Sequence, residues 1–236
     1  MAVSDTQLVY SSPAIRARRK RILNETRKLI AERGMTGFSM DEICKRAGVA
    51  KRTLYNAFQT KERLVAQAIH EYFDRYLERL PHNHARGTLE HNIERLVFVI
   101  QRNQQIKNYI SAIMALYFSS EADDDIWTTM HSMAVKGNLE WLATLHEQDM
   151  LHPWIEVEAF VDDLVRLEYS VIYDWCRDHI SEDEIAYRLV TAWLNFVLGA
   201  ATGPARLQIE RCLATIHETG ELMPGEIASL TALPLD

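Results

Sequence analysis

Lys51, Arg52, Thr53, Tyr55 and Asn56 put two cations, a hydroxyl, a phenol and an amide within six residues. Cations neutralise phosphate oxygens, guanidinium and amide groups bond base edges, and hydroxyls serve both. As a helix over Lys51–Phe58, the stretch places Leu54 and Phe58 four apart on a buried side. The polar residues then share the opposite side. A merely solvated helix face has the same composition, so the elements around it must discriminate.

Those elements lie just before it. Ser39 followed three residues later by Glu42 reads as a capping box, and Met40, Ile43 and Ala47 recur at helical spacing behind it. Gly48 stands where a helix end needs a left-handed residue, and Val49 can fill the angle beyond. The pattern predicts two short helices joined by a tight turn. A helix-turn-helix of this type lays its second helix in the major groove.

The segment from about Lys20 to Leu64 resembles the N-terminal domain of TetR-family transcriptional regulators. The matching pieces are ILNETRKLIAERG, FSMDEICKRAGV, KRTLYNAF and TKERL. The resemblance implies an all-α protein. By it, residues 1–60 are expected to form a three-helix DNA-binding domain with a helix-turn-helix, and residues 61–236 a larger helical domain for ligand binding and dimerisation. It implies double-stranded operator DNA as partner and Ser39, Lys51, Arg52, Thr53, Tyr55, Asn56 and Lys61 as the DNA-facing set. Thr53, Tyr55 and Lys61 fall to phosphates, Lys51 and Arg52 to bases. Three positions depart from the family pattern. Arg52 replaces a frequent small residue, and Ala57 a His or Tyr. Ala50 replaces a Ser, which removes a helix cap worth about 1 kcal/mol.

Charge is unevenly shared. The 236 residues carry 26 Lys/Arg and 33 Asp/Glu, a net of −7. Residues 1–60 hold 12 basic and 5 acidic residues, a net of +7, which leaves −14 for the remainder. A basic head on an acidic body suits one end meeting a polyanion. Arg16, Arg18, Arg19, Lys20 and Arg21 open the first predicted helix, Pro13 to Arg33, either as a solvated end or as phosphate contacts. Residues 1–12 carry no helical pattern and are expected to be disordered. Three dispersed cysteines indicate no disulfide framework and suit a reducing cytoplasm. No apolar run is long enough to span a bilayer, so no membrane partner is expected.

The body is patterned for helices throughout. Predicted spans are 61–80, 88–120 with a break near Asn103, 123–150, 153–179, 183–202 and 204–218. Ser181 with Glu184 forms a second capping box. The loop 81–87 brings His82 and His84 near His91, and Asp123–Asp125 clusters carboxylates. Exposed histidines and helix-start charges account for both, and no metal is expected. Nucleophile motifs and Gly-rich phosphate loops are missing from the sequence, so neither an enzyme nor a cofactor is expected.

By the resemblance, Tyr109, Ile113, Met114, Tyr117, Phe118, Trp127, Met130, Met133 and Trp141 are candidate walls of an effector pocket. Ordinary core packing gives the same stripe. The effector expected is a small apolar or aromatic molecule. Leu167, Val171, Trp175, Leu189, Trp193 and Phe196 are candidates for a homodimer interface between the helices over 154–179 and 183–202, unless those stripes pack within one chain. The function implied is a repressor that leaves a palindromic operator when the effector binds. The alternatives are an activator, and a ligand-insensitive or protein-partner-driven regulator, for which a filled body would speak.

Overall fold

The computed structural model describes residues 12–80, 83–120 and 124–222. Within them the chain forms ten helices: α1 (Pro13–Arg33), α2 (Met40–Ala47), α3 (Lys51–Phe58), α4 (Lys61–Glu78), α5 (Leu89–Gln105), α6 (Lys107–Tyr117), α7 (Asp124–Glu147), α8 (Val157–Cys176), α9 (Ile185–Ala200) and α10 (Gly203–Thr219). The protein is all-α, with a small N-terminal helical head carrying a helix-turn-helix and a larger helical body. The expectations for residues 1–11, His82 and Asp123 lie outside the described residues.

Local sequence explains most of the boundaries. Ser12, Ser39, Thr60 and Thr88 each cap a helix by accepting a backbone N–H three residues on. Gly220 in the left-handed region ends α10. The break in the long middle helix falls at Ile106, three residues beyond the expected Asn103. Ile106 leaves helical geometry (φ −128°, ψ 34°) and buries its side chain.

Two starts come later than the sequence pattern predicts. α8 begins at Val157, because Pro153 is spent in a turn closed by Ile155 N–H on the His152 carbonyl at 3.0 Å. An isolated antiparallel bridge between Leu151 and Ala201 ties that turn to the end of α9. α9 begins at Ile185. Glu184 does reach back to the Ser181 N–H, as a capping box requires, but Ser181 Oγ donates to the same carboxylate at 2.7 Å instead of capping.

One apolar core runs from Ile22 on α1 to Ile216 on α10. α1 packs on α2, α4 and α6, so the head leans on the body through two body helices. α4 continues on to pack along α7, and α5 is buried over almost its whole length. Trp175, Leu189 and Trp193 lie inside this single-chain core at 0–1% exposure. Trp193 stacks on Trp141 with ring centroids 5.3 Å apart, and Trp175 lies under the Lys107 ammonium. That burial takes all three out of the candidate dimer surface. Leu167, Val171 and Phe196 are half-buried on the outer side of α8 and α9.

Candidate nucleic-acid interface

The turn between α2 and α3 is built as its residues require. Ser39 Oγ accepts the Glu42 N–H at 3.3 Å. Glu42 does not complete the box; its carboxylate pairs with Arg33 at 2.8 Å. Gly48 has φ 60° and ψ 47°, and the Val49 N–H reaches the Cys44 carbonyl at 3.0 Å, a Schellman-type ending. Leu54 and Phe58 are fully buried beneath α3. Ala50 gives α3 no side-chain cap. At the far end Gln59 is left-handed (φ 65°, ψ −60°), and the Thr60 N–H bonds the Phe58 carbonyl at 2.8 Å. This γ-turn lets α4 start at once.

The outer face of α3 therefore presents Lys51, Arg52, Tyr55 and Asn56 to solvent, with Thr53 half-buried at their edge. Tyr55 is 47% exposed, an unusual place for an aromatic ring with nothing to cover it. Arg52 makes no ion pair among the described residues. Lys51 lies 2.5 Å from the Asp41 carboxylate, and that bond raises its affinity for a proton. Ser39 is exposed and committed to its cap.

Lys61 has a structural task. Its Nζ donates to the Phe38 carbonyl at 2.7 Å and sits 4.2 Å from the centre of the Phe38 ring. Burial lowers its pKa below the ordinary value. It fastens the start of α4 to Phe38, two residues ahead of α2. On α1, Arg19 bonds Gln67 at 2.7 Å and Arg21 bonds the Ala47 carbonyl at 2.7 Å, which leaves Arg16, Arg18 and Lys20 exposed along the basic end.

Two cavities of the body share lining residues among the described residues. The inner one, of about 80 Å³, is mainly apolar and lies between α4, α5, α6, α7 and α8. Of the candidate walls, Ile113, Met114, Met130 and Met133 line it. Trp141 lines the outer cavity, of about 470 Å³, between α4, α5 and α7. Tyr117 and Trp127 stack with His131 beside the inner cavity, where the Tyr117 hydroxyl and Asp162 hold the two nitrogens of the His131 ring at 2.8 and 2.9 Å. Phe118 is 45% exposed. Tyr109 is fully buried against Tyr72 and bounds a separate groove beside Ala31. Tyr109, Tyr117, Phe118 and Trp127 are thus packing residues around the cavities and not their walls.

The sequence reading missed α4 as a wall, through Ile69, Phe73 and Leu77, and missed the polar group at the cavity's edge. There Arg95 Nη2 donates to Asn138 Oδ1 at 2.8 Å and stands 3.6 Å from Glu168. Asn138 also bonds Glu168 at 2.9 Å and accepts from the Trp193 indole at 3.0 Å. Burial pushes the Glu168 carboxyl up, and Arg95 and Asn138 oppose that. Gly137, an isolated glycine inside a helical pattern, was the available signal for a close approach. The loop before α5 is pinned by the buried Glu94, which accepts from Asn83, and no group of three metal-ligating side chains stands together among the described residues.

With this geometry in hand, similarity to known proteins is informative. Residues 22–68 match the profile of bacterial regulatory proteins of the tetR family. The match covers the head from α1 into α4. This head is that of the TetR family of DNA-binding transcriptional regulators. Over 136 residues it is 27% identical to the HTH-type transcriptional regulator PksA of Bacillus subtilis, a stretch of 57% of this chain and 66% of that protein. The fold is that of TylP, a TetR regulator from Streptomyces fradiae (TM-score 0.62, 20% identity, 88% of this chain and 98% of that one). It is also that of NalD of Pseudomonas aeruginosa, the secondary repressor of the MexAB-OprM multidrug efflux pump (TM-score 0.56, 19% identity, 78% and 98%). At these identities the two structures speak for the fold alone. No helix among the described residues is long and apolar enough to cross a membrane.

Proposed function

We propose that this regulator is a homodimeric repressor that binds a palindromic operator and releases it when a small molecule enters the body. In this reading residues 1–60 bind DNA and residues 61–236 sense and dimerise. Lys51, Arg52, Thr53, Tyr55 and Asn56 face the groove, with Ser39 and Lys61 at its margins. One observation carries the proposal. α4 is fastened to the head at Lys61 and lines the inner cavity with Ile69, Phe73 and Leu77. A molecule that widens the cavity moves the rod on which the head is mounted. Release then follows if the occupied form holds the two heads at a spacing other than one helical turn of DNA, about 34–36 Å.

The repressor assignment draws support from NalD, named as a repressor. The test has two steps. DNA is first selected from a random pool by the purified protein at fixed salt, and a palindrome is expected. A chemical library is then screened for release of that operator. The inner cavity of about 80 Å³ is small beside the roughly 300 Å³ at which pockets for drug-sized ligands begin. That favours the second reading, a ligand-insensitive or partner-driven regulator. A recovered palindrome that no compound releases selects the second reading over the first.

A further inference from the structure

The inner and outer cavities share a narrow stretch of wall, called the neck below. Leu77, Arg95, Met133 and Gly137 belong to the walls of both, and Arg95 is the one polar side chain among the four. Its side chain is about nine-tenths buried. Nη2 is committed to Asn138, but the Nε–H has no hydrogen-bond partner. A buried donor left unmade is costly, so it marks a place where a partner is expected.

The neighbouring sequence is fitted to this guanidinium. A Cβ on Gly137 would stand 3.1 Å from Arg95 Nη1 and 3.2 Å from Cζ. Glycine in a helix interior is unfavourable, yet a side chain here would press on the guanidinium and make it give by a few tenths of an ångström. Asn138, the next residue, supplies the bond that holds it. Consecutive positions of α7 thus seat Arg95, one by its missing side chain and one by its amide.

Charge then selects the visitor. Glu168 stands 3.6 Å away and balances the guanidinium. An entering anion would add a second buried negative charge beside Glu168, and an entering cation would face Arg95. A neutral acceptor takes the spare N–H and leaves the balance intact. The inner cavity beyond is walled by Ile113, Met114 and Met130, side chains that accept an apolar body and can repack around it.

We infer that the body binds a neutral, mainly apolar molecule carrying a carbonyl-type acceptor, and that Arg95 Nε reads that acceptor at the neck. This rests on the proposed effector role of the cavity. The test uses full-length protein without DNA and four probes of similar size: acetophenone, ethylbenzene, benzoate and benzylamine. Titration is followed by calorimetry and by the fluorescence of Trp141 in the outer wall. Acetophenone is expected to bind about tenfold more tightly than ethylbenzene, the scale of one hydrogen bond to a charged donor, and more tightly than either ion. Arg95→Lys keeps the charge opposite Glu168 but removes Nε. It should bring acetophenone down to ethylbenzene and leave ethylbenzene unchanged. Equal binding of acetophenone and ethylbenzene by the unaltered protein overturns the inference, as does preference for an ion or no binding of any probe. If Arg95→Lys does not fold, this ranking decides alone. Selective acetophenone binding that leaves the operator bound upholds Arg95 and sinks the effector reading instead.

Discussion

The Lys51 ammonium lies 2.5 Å from the Asp41 carboxylate, so a cation of the recognition helix is already engaged before DNA arrives. Both side chains are more than half exposed, and such a pair adds little to stability. Its effect falls on binding, because DNA must compete with Asp41 for Lys51 and must accept a carboxylate near its phosphates. Asp41→Asn is expected to raise operator affinity about threefold and to steepen the salt dependence by about one phosphate's worth. Fluorescence anisotropy at two salt concentrations reads both. An unchanged affinity and slope would place Lys51 away from the DNA.

Arg52 and Tyr55 should separate sequence reading from general affinity. Arg52 is exposed and makes no ion pair among the described residues, which leaves its fork available for a guanine edge. Arg52→Ala should relax preference at one base position by about 1–3 kcal/mol and alter the others little. The Tyr55 hydroxyl makes no hydrogen bond within the described residues. Tyr55→Phe should therefore leave thermal stability unchanged and lower affinity for every operator variant alike. A panel of single-base operator substitutions distinguishes the two patterns, and a uniform loss for Arg52→Ala counts against its role as a base reader.

The head was legible because its signals are local. Ser39, Gly48 and Thr60 fix helix ends through bonds spanning three to five residues, and Leu54 with Phe58 declare one buried side. The body was legible only as helices. Whether Trp193 faces a second chain or the same chain depends on Asn138 and Trp141, more than fifty residues away, and periodicity is identical in both cases. The Arg95–Glu168 pair spans 73 positions between two helices that each look amphipathic with a charge to spare. Lys61 shows the same limit at short range. Its position matched a phosphate contact, while the carbonyl that accepts its hydrogen bond belongs to Phe38.

Tyr72 is the centre of the joint between head and body. Arg102 from α5 donates to its hydroxyl at 2.5 Å, and the guanidinium carbons of Arg27 from α1 and Arg102 lie 5.6 and 5.4 Å from its ring centre. Tyr109 from α6 meets the ring edge-on at 5.9 Å. Three helices thus converge on one side chain of α4. Tyr72→Phe keeps the ring and removes the acceptor, stranding Arg102 Nε in the interior. A loss of about 1–3 kcal/mol in urea unfolding is expected. Operator affinity should hold, since the DNA face is untouched, while a releasing compound should need a higher concentration. Undiminished response to that compound would show that the signal bypasses Tyr72.

Leu167, Val171 and Phe196 decide the last expectation. They remain half-buried on the outer side of α8 and α9 after the single-chain core has claimed Trp175, Leu189 and Trp193. The Phe196 ring leans on Phe160 at 4.8 Å, giving that side an aromatic centre. A charge there needs no rearrangement of the core, whereas a charge at Trp193 would be buried. Leu167→Asp combined with Phe196→Asp should therefore yield a folded monomer by sedimentation, with unaltered helical content. Trp193→Asp should unfold the chain. Because one head reaches one half-site, the monomer should bind the full operator at least a hundredfold more weakly, an avidity effect that needs no lost DNA contact. A double variant that sediments as a dimer with operator affinity intact would move the interface to another face of the body.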